Sequence, residues 1–459
     1  MTPPVIAFVA NRDLCIGCGT CAALCPDTVL EMRFSRFGEY IPVETGECTK
    51  ECGLCLKVCP FSDSGENEDT IGKRLYGEIS GIRHRVETGY FLDSYVGHSE
   101  KHRLQSASGG VATGLLETLL TEGVVDHVIC VAPTGDPERL FAFHIFSNAD
   151  DVRTGAGSAY YPVEMSTVLR YVTGHPGRYA ITGLPCFIKA IRLAQQRNRT
   201  LRERILVTVG LVCGQLKSKH FTEYIAALAG VKGRVTAVRY RGKSPDQPAS
   251  NFYFSFLSQE GDEKKIFRRD GISEAWTNRW FTPNACNYCD DVFAECADIV
   301  CMDAWLPEYS GDSRGTSLIV VRSPVIREIL MKGVSLSLKP IPIDRVIQSQ
   351  SGILAIKRHQ LSYRLYHDSQ SGIRVPKKRI PAVIMHNVFT RQHMNLKEKM
   401  RLTTRDAWIV RGGDVQYLRN KVQKDLKRLE FMNQFSRIIF YPVHIIRFLI
   451  RKRGAISNG

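Results

Sequence analysis

Eight cysteines near the beginning of the sequence fall into two runs, and each run closes on Cys-Pro. The first run has the spacing C-x2-C-x2-C-x3-C-P, and the second has one extra residue in its first gap. The runs comprise Cys15, Cys18, Cys21 and Cys25, and then Cys48, Cys52, Cys55 and Cys59. This spacing is typical of paired 4Fe-4S clusters, in which three nearby thiolates bind one cluster and the fourth cysteine binds the other. Zinc also accepts four thiolates, but two such runs favour iron and sulfur.

We therefore predict crossed ligation between the two runs. Cys59 would complete the cluster held by the first run, and Cys25 would complete the cluster held by the second. The intervening segment EMRFSRFGEYIPVETGE has the length and turn content of a hairpin. The polar stretch SDSGENEDT (62–70) that follows the second run predicts an exposed linker.

Seven cysteines lie later in the sequence. Cys130 falls within a buried apolar strand pattern, and we interpret it as a core residue because a free cysteine packs as a small hydrophobe. Four of the other six could hold a third cluster; these six are Cys186, Cys213, Cys286, Cys289, Cys296 and Cys301. The first two each follow a predicted strand, and the C-x-x-C pair at 286–289 suits one metal centre, although such a pair also serves redox and zinc sites.

Two loops rich in small residues are candidate sites for a flavin or a nucleotide. The first precedes the helical pattern VATGLLETLL, where free amides at a helix N-terminus could bind a phosphate, although a serine helix cap explains it equally well. The second surrounds the sequence GAGSAY. The candidate cofactor-binding residues of the two loops are Ser106, Ser108, Gly109, Gly110, Arg153, Gly157, Ser158 and Tyr160.

The elements that would position these residues are strands and helices in alternation. From about 105 to 230 the segments VDHVICVA, RYAITGLPC and ILVTVGLVCG read as buried strands, which predicts an α/β layer whose sheet is at least partly parallel. VTAVRYRG and NFYFSFLS predict an antiparallel pair, and GTSLIVVRS (315–323) predicts another strand. Residues 325–375 read as helical or irregular, and residues 395–435 as helical and basic.

The length, the distribution of charge and the apolar runs of the sequence limit the classes of protein to which the chain could belong. A chain of 459 residues predicts two or three domains. The net charge of +16 is uneven, at −6 over residues 1–70 and +9 over 401–459, and the middle shows no nucleic-acid motif, so we expect no nucleic-acid partner. The opening MTPPVIAFVANRD lacks the features of a secretion signal, and no apolar run reaches 18 residues. We therefore expect a cytoplasmic protein whose thiols bind metal.

Several motifs, in the same order, resemble the beta subunit of the coenzyme F420 (deazaflavin) hydrogenases and dehydrogenases. They are LQSASGGVATGLLETLL, GAGSAYYP, YAITGLPCFIKAI, VGLVCG, CNYCDDVFAECADIVCMDAW and GTSLIVVRS. The resemblance covers roughly residues 75–375, and the two cysteine runs before it resemble a bacterial two-cluster ferredoxin. The family contains FAD and iron–sulfur clusters, so the resemblance implies that the two loops hold FAD. It also implies a third cluster on Cys186, Cys213, Cys286 and Cys289, with Cys296 as the replacement.

One motif departs from the family pattern. Family members read ADI-x-x-GD-x-W where this chain reads ADIVCMDAW at 297–305. Asp298 and Asp303 in this segment are either structural caps or contacts to flavin or substrate. No proton donor is identifiable, and the catalytic residues are left unassigned.

The predicted fold is a multidomain α+β and α/β architecture. It comprises a bacterial two-cluster ferredoxin fold (1–65), an α/β flavin and iron–sulfur domain (75–375) and a basic helical C-terminal region (376–459). The predicted function is an oxidoreductase that passes electrons from a ferredoxin-type or other redox donor through 4Fe-4S clusters to FAD and on to an organic acceptor. The alternative is a non-catalytic electron-transfer subunit that docks to a separate redox enzyme.

The C-terminal tail carries the apolar run IIFYPVHIIRFLI (438–450), which is followed by Arg451, Lys452 and Arg453. The run is too short and too interrupted to span a bilayer. It suits an interfacial helix on anionic lipid, and it equally suits a helix that covers the core of this protein or of a partner.

Overall fold

The computed structural model describes residues 2–49, 52–63, 65–332, 336–384 and 387–456, with side chains described up to residue 435. The strands are β1 (Leu30–Phe34), β2 (Tyr40–Glu44), β3 (Arg83–Arg85), β4 (Gly89–Phe91), β5 (Asp93–Ser99), β6 (His127–Pro133), β7 (Phe141–Phe146), β8 (Tyr179–Gly183), β9 (Ile205–Leu211), β10 (Val235–Gly242), β11 (Tyr253–Ser258), β12 (Glu263–Phe267), β13 (Ile299–Asp303), β14 (Ser317–Val321) and β15 (Leu336–Pro340).

The helices are α1 (Pro4–Phe8), α2 (Thr20–Ala23), α3 (Leu54–Lys57), α4 (Glu68–Tyr76), α5 (Val111–Thr121), α6 (Ser166–Gly174), α7 (Pro185–Arg197), α8 (Arg199–Arg204), α9 (Lys219–Leu228), α10 (Ile272–Thr277), α11 (Pro307–Ser310), α12 (Pro324–Met331), α13 (Ile343–Ser349), α14 (Ser351–Leu354), α15 (Leu361–Gln370), α16 (Val388–Val410) and α17 (Val415–Ile456). A π-helical segment, Ala355–Gln360, joins α14 to α15.

The N-terminal unit is built from short elements that surround the two cysteine runs. Strands β1 and β2 pair antiparallel with Phe34 opposite Tyr40, which confirms the predicted hairpin. The rings of these two residues stack with their centroids 4.1 Å apart. A unit of this size buries little apolar surface by itself, and it is held against the rest of the chain. For example, Arg170 on α6 donates a hydrogen bond of 2.8 Å to the carbonyl of Ala22.

The predicted exposed linker at 62–70 is wrong at its C-terminal end, because α4 begins inside it. The Asn67 side chain caps this helix by accepting a 2.9 Å hydrogen bond from the N–H of Thr70. Glu68 in the first turn is buried, and its carboxylate lies 3.2 Å from the Lys189 ammonium on α7. One residue of a stretch that was predicted to be exposed thus belongs to a buried ion pair. The local pattern could not predict this pair, because its partner lies on α7.

The centre of the molecule is a mixed sheet of eight strands in the order β15-β5-β14-β13-β9-β8-β6-β7. The neighbours β13, β9, β8 and β6 run parallel, and the remaining pairs are antiparallel. The predicted strands near residues 128, 181, 208 and 319 are all present, and the expectation of a partly parallel sheet is confirmed.

Helices cover both faces of this sheet. Alternate residues of each strand point to opposite faces, so Ile181 of β8 packs with the α6 and α7 side while Ala180 packs with the α5 and α12 side. The strands are buried on both faces, which is why they appear as continuous apolar runs in the sequence. This burial leaves polar chemistry to the strand ends and the loops that follow them.

Strand β15 was not predicted, because residues 325–375 read as helical or irregular. It pairs antiparallel with β5 at the edge of the sheet, with Leu336 opposite Ser99. The segment is five residues long, largely exposed and ends in Pro340. Leu336 and Leu338 pack on the core and alternate with Ser337 and Lys339, but a run of five residues that ends in proline is too short for this alternation to identify a strand.

A second sheet of three antiparallel strands, β10-β11-β12, stands beside the first. The pairing of β10 with β11 confirms the predicted antiparallel pair, with Val238 opposite Phe256. A common aromatic core joins this sheet to α9, α16 and α17 and includes Trp280, Met400 and Trp408. The two long helices thus pack on the second sheet through their described parts.

The apolar run 438–450 and the basic residues after it lie outside the residues whose side chains the structure describes. Among the described helices, none combines the length and the apolar character that crossing a bilayer requires.

A buried ion pair ties β9, α7 and the segment before β13 together. One Asp298 carboxylate oxygen accepts hydrogen bonds from Arg192 Nη2 at 2.9 Å and from the N–H and hydroxyl of Thr208 at 2.7 and 2.9 Å. Arg192 also donates to the Cys296 carbonyl at 2.9 Å. Asp298 is therefore a structural anchor, the first of the two roles considered for it from the sequence.

Replacing Asp298 with alanine should destabilise the fold, because it leaves the Arg192 guanidinium buried without its partner. Breaking a buried pair in this way costs about 3–5 kcal/mol. The thermal unfolding midpoint measures the effect, and Asp126→Ala is the control. Asp126 pairs with Arg178 at 2.6 Å on the surface, where the midpoint should move little. Equal shifts in the two variants would contradict the assignment of Asp298 as a buried anchor.

Candidate functional site

The cysteines of the first run meet the last cysteine of the second. Burial raises the pKa of Cys21 well above its ordinary value, and the thiolates of Cys18, Cys15 and Cys59 raise it further. Burial and the Cys18 thiolate likewise raise the pKa of Cys59 to about 12, while N–H groups of Phe61 and Ser62 oppose the shift. Because such interactions fall off with distance, Cys59 lies with the first run.

Cys25 lies instead with the second run. It lines one small cavity together with Cys48, Cys52 and Cys55. Burial raises the pKa of Cys48, and the Cys25 thiolate raises it further. The arrangement is the one that crossed ligation requires, with the last cysteine of each run exchanged between the two groups.

Glycine is required at one position of the first run. Gly19 has a φ of +79°, and a Cβ atom there would lie 2.5 Å from a carboxylate oxygen of Glu164. The carbonyl of the preceding residue, Cys18, accepts a backbone hydrogen bond of 2.9 Å from the N–H of Met165. The first run is thus held directly against the segment that leads into α6.

The four cysteines expected to hold a third cluster come from three places in the chain. Cys186 lies in the first turn of α7 after β8, and Cys213 follows β9. Since β8 and β9 are adjacent and parallel, their carboxyl ends open at the same edge of the sheet. Cys286 and Cys289 belong to the turn Asn284–Tyr288 and the residue after it.

These four thiols are brought together. Burial raises the pKa of Cys186 well above its ordinary value, and the thiolates of Cys289, Cys213 and Cys286 raise it further. Burial also raises the pKa of Cys213 to about 12, with Lys357 opposing the shift and the thiolates of Cys286 and Cys289 adding to it. We call Cys186, Cys213, Cys286 and Cys289 the inner cysteine group.

The other later cysteines lie elsewhere. Cys296, the expected replacement ligand, is surrounded by Glu68, Asp291, Lys189 and Glu295 and has no member of the inner cysteine group among these neighbours. Cys301 lies on β13, and Cys130 lies buried on β6 as a core residue.

Within the described residues, no three histidine, cysteine or acidic side chains converge closely enough to bind a single metal ion. A four-iron cluster makes a different demand, because each of its four thiolates binds a separate iron and the sulfur atoms surround the cluster. Four thiols around a shared site are the donor set that a cubane needs.

The inner cysteine group packs against the N-terminal unit. Cys289 and Tyr288 share one buried apolar cluster with Cys21 and Cys55, and Cys186 contacts the same cluster. All three groups of thiols are thus joined through a dry interior.

A cavity of about 950 Å³ opens on the other side of the inner cysteine group, and Cys213 is part of its lining. Ligand pockets range over roughly 300–1,000 Å³, so this cavity can hold a dinucleotide-sized molecule. Of the predicted cofactor-binding residues, seven line it: Ser106, Ser108, Gly110, Arg153, Gly157, Ser158 and Tyr160.

The loop that contains Ser106, Ser108 and Gly109 has residues with two different roles. The Ser106 side chain is 7% exposed, and its hydroxyl has no hydrogen-bond partner among the described residues. Ser108 instead donates to the Thr316 carbonyl at 2.8 Å. Gly109 does not line the cavity; a Cβ there would lie 2.6 Å from the Gly97 carbonyl oxygen, so it lets the loop approach β5 and β14.

The first turn of α5 faces the cavity through Val111, Ala112 and Thr113. Gly110 before it has a φ of +80°, and it has no side chain with which to cap the helix, so the first amides remain available to a ligand. The unpartnered Ser106 hydroxyl lies at the same end of the cavity.

Aromatic side chains form much of the opposite wall. Tyr160 contacts Trp276 edge to face with ring centroids 4.7 Å apart, and it also contacts Tyr240 at 5.5 Å. Phe252 and Phe254 extend this surface. A wall of this kind suits a flat aromatic ligand.

The charge of the lining is strongly positive. Four arginines contribute to it, namely Arg153, Arg239, Arg241 and Arg268. Burial holds the pKa of the fifth basic residue of the lining, Lys217, well below its ordinary value. Among the described lining residues, Asp303 is the single acid, and its carboxylate is bound in bidentate fashion by Arg241 at 2.6 and 2.7 Å. Asp303 therefore lies at the cavity, unlike Asp298.

Lys217, Arg241 and Lys357 were not predicted as site residues. Lys217 follows Cys213 by four residues, and Arg241 lies at the carboxyl end of the aromatic strand β10. Arg239 and Arg241, two cations near the end of one strand, were the available signal. Lys357 lies in a helical segment remote in sequence from every cysteine, and only the fold reveals it.

The cavity fits FAD by its chemistry. A free helix N-terminus, an unpartnered buried hydroxyl and a cationic lining suit the pyrophosphate, and the aromatic wall suits the rings. The FAD-holding role that the family resemblance implied is therefore compatible with the residues present.

Known proteins resemble this chain in both of its parts. The family model for the N-terminal part of the coenzyme F420 hydrogenase/dehydrogenase beta subunit matches residues 94–170, and the model for the C-terminal part of the same protein matches residues 177–340. The model of a 4Fe-4S dicluster domain matches residues 7–64.

Curated relatives are more distant. One of the subunits of the F(420)H(2) dehydrogenase of Methanosarcina mazei is 26% identical over 220 residues, which are 46% of this chain and 56% of that protein. The coenzyme F420-dependent sulfite reductase of Methanocaldococcus jannaschii is 28% identical over 190 residues, 41% of this chain and 26% of that protein. A ferredoxin of Thermococcus litoralis is 43% identical over 51 residues, 11% of this chain and 80% of that protein. The chain thus spans about half of the first relative and less of the second.

Among solved structures, a chain of the F420-reducing NiFe hydrogenase complex from Methanosarcina barkeri superposes with a TM-score of 0.49 and 20% identity. The superposition covers 64% of this chain and 98% of that chain. Because the two models for the beta subunit together cover more than half of the sequence, the chain belongs to the family of coenzyme F420 hydrogenase/dehydrogenase beta subunits and carries a 4Fe-4S dicluster domain at its N-terminal end.

Proposed function

We propose that this protein is an FAD- and iron–sulfur-dependent oxidoreductase. It takes electrons from a ferredoxin-type donor, passes them through the two N-terminal clusters to a third cluster, and delivers them through FAD to an organic acceptor. One observation carries the proposal: Cys213 belongs to the inner cysteine group and also lines the large cavity. The third cluster would therefore adjoin the flavin directly.

The electron path would start at the surface of the N-terminal unit. Of the chain's cysteines, all of which lie in described residues, Cys52 alone is exposed. Its group would be the place where a donor docks, because electron transfer needs close approach of the two centres. The shared apolar cluster that contains Cys21, Cys55 and Cys289 then supplies a dry route to the inner cysteine group.

The chain's own residues would bind and orient the cofactor. The α5 N-terminus and Ser106 would hold the pyrophosphate, while Arg153 adds positive charge. Tyr160 and Trp276 would limit the access of water to the ring system. FAD, when bound, accepts single electrons and can release them as a pair.

Two relatives point to the first acceptor to assay. Their names tie them to coenzyme F420, one as part of an F(420)H(2) dehydrogenase and the other as a coenzyme F420-dependent sulfite reductase. A deazaflavin is thus the acceptor with the strongest support for this chain. Turnover of a deazaflavin by the isolated chain would favour an enzyme over an electron-transfer subunit that serves a separate catalytic protein.

The composition of the purified protein tests the proposal most directly. After anaerobic purification, about 12 irons with matching sulfide and about one FAD per chain are expected for three four-iron clusters and a flavin. About 8 irons without flavin would contradict both the third cluster and the flavin site.

Replacing Cys213 with serine should remove the third cluster and leave the other two intact. Iron per chain should fall by about 4, because a hydroxyl is a poor substitute for a thiolate ligand. The matched control is Cys296→Ala, which removes a buried cysteine outside the inner cysteine group. If both variants lost the same amount of iron, Cys213 would not be a specific ligand.

Replacing Ser106 with alanine should weaken FAD binding. A hydrogen bond to a charged group contributes about 1.5–3 kcal/mol, so affinity should fall by about 10- to 100-fold. Flavin retained after gel filtration, and reconstitution of the deflavinated protein, measure the effect. Thr118→Val is the control, because the Thr118 hydroxyl on the following helix, α5, donates to the Gly114 carbonyl at 2.8 Å and does not line the cavity. Equal losses would exclude a specific role for Ser106.

We also propose that the tail contacts anionic membrane surfaces through the apolar run 438–450 and Arg451, Lys452 and Arg453. In liposome flotation, the full chain should float with anionic vesicles and not with neutral ones. Deletion of residues 436–459 should abolish flotation. Flotation that is unchanged by the deletion would assign the tail to packing on protein.

A further inference from the structure

We propose that Lys357 raises the reduction potential of the third cluster above the potentials of the two N-terminal clusters, and so directs electrons from the N-terminal unit toward the cavity. The inference rests on the third cluster of the proposed function. It adds what the donor set alone does not determine, namely the direction of electron flow.

Lys357 makes a direct contact with a proposed cluster ligand. Its ammonium nitrogen lies 3.0 Å from the Cys289 sulfur and donates a 2.8 Å hydrogen bond to the Asp291 carbonyl. The side chain is 3% exposed. In such a buried site, water screens the charge only weakly.

The backbone around Lys357 is unusual in a way that fits this position. The residue lies in the π-helical segment Ala355–Gln360, between α14 and α15. Wide turns of this type often occur at functional sites because they redirect side chains that a regular helix would point elsewhere. Here the turn carries a lysine to the inner cysteine group.

Two further groups reinforce the positive environment. Arg279 Nη2 donates a 3.0 Å hydrogen bond to the side chain of Asn287, the residue after Cys286. The Leu216 N–H lies 3.2 Å from the Cys286 sulfur. Hydrogen bonds to ligand sulfurs and nearby positive charge both stabilise the more negative, reduced form of a cluster, which raises its potential.

The N-terminal groups have carboxylates as neighbours. The Glu164 carboxylate is buried beside the first run, since a Cβ on Gly19 would lie 2.5 Å from one of its oxygens. Asp27 lines the small cavity that Cys25, Cys48, Cys52 and Cys55 share. Negative charge beside a cluster disfavours its reduction, so Glu164 and Asp27 would lower the potentials of the N-terminal clusters. Asp290 and Asp291, buried after Cys289, act in the same sense on the third cluster, and the direct contact of Lys357 with the Cys289 sulfur opposes them.

The transfer would be of a single electron from a reduced N-terminal cluster to the oxidised third cluster, with no bond made or broken and no proton needed. A low-potential donor would supply the electron, and FAD, when bound in the cavity, would take it from the third cluster.

A redox titration of the full-length protein followed by electron paramagnetic resonance tests the order of potentials. The signal of the third cluster is identified as the one that is missing in Cys213→Ser. It should be reduced at a higher potential than the two remaining signals. A third cluster that is reduced last, or together with the others, would overturn the inference.

Substitution of Lys357 then tests the cause. In Lys357→Met, the midpoint of the third cluster should shift to lower potential, while the N-terminal midpoints stay unchanged. Lys189→Met is the matched control, since it removes another buried lysine, which pairs with Glu68 at 3.2 Å and lies outside the inner cysteine group. It should leave every midpoint in place, even if it lowers the unfolding temperature.

Arg279→Met provides a second variant in case Lys357→Met does not retain iron, and its midpoint should shift in the same direction. A loaded third cluster with an unchanged midpoint in these variants would overturn the role of the cations. Wild-type protein with about 8 irons and no third signal would instead contradict the proposed function, so the two failures are distinguishable.

Discussion

The burial of four thiols at one edge of the sheet is the constraint around which the rest of this structure is organised. Strands β8 and β9 run parallel as neighbours, so the residues that follow them, Cys186 and Cys213, emerge side by side. The turn that carries Cys286 and Cys289 supplies the other two thiols. Thiolates repel one another, and burial disfavours their charge, as the raised pKa of Cys186 shows. Such a group is stable only if positive charge balances it.

Lys357, whose ammonium nitrogen lies 3.0 Å from the Cys289 sulfur, supplies part of that charge, and a network of buried ions surrounds the C-x-x-C turn. Glu295, which is buried, accepts hydrogen bonds from Arg358 at 2.7 Å and from Arg379 at 2.6 and 2.8 Å. Arg379 also donates to the Asp290 carboxylate at 2.9 Å, directly after Cys289. Removing one member of such a network would leave its partners charged, buried and unpaired. The network therefore holds the turn in one position and draws the segment near Arg379 onto the core.

The inner cysteine group lies between two different environments. On one side lies the N-terminal unit, with small apolar contacts and carboxylates near its thiols. On the other side lies a large cavity with a cationic lining, aromatic walls and a free helix N-terminus. Lys357 and Arg279 stand at the junction. Under the function proposed above, these two cations would favour the arrival of electrons at the inner cysteine group.

Much of this site was predictable because its residues belong to motifs that are short and local in the sequence. The two N-terminal runs follow the spacing of paired clusters, the strands before Cys186 and Cys213 are continuous apolar runs, and the loops at Ser106 and Gly157 are rich in small residues. Each of these signals depends on residues close together in sequence. The sequence alone also predicted the β1–β2 hairpin and the β10–β11 pair, since turn residues and aromatic content are local features as well.

Tertiary structure alone decided which groups meet across long distances in the chain. It placed Lys357 on Cys289, Glu68 on Lys189 and Asp298 on Arg192, and it separated Asp303, which lines the cavity, from Asp298, which does not. It also excluded Cys296 from the inner cysteine group and paired β15 with β5. The physical reason is that spacing in the sequence encodes local geometry, whereas the partner of a buried charge is set by the packing of remote elements. For this protein, the sequence determined which ligands are available, and the fold determined the electrostatic environment in which they act.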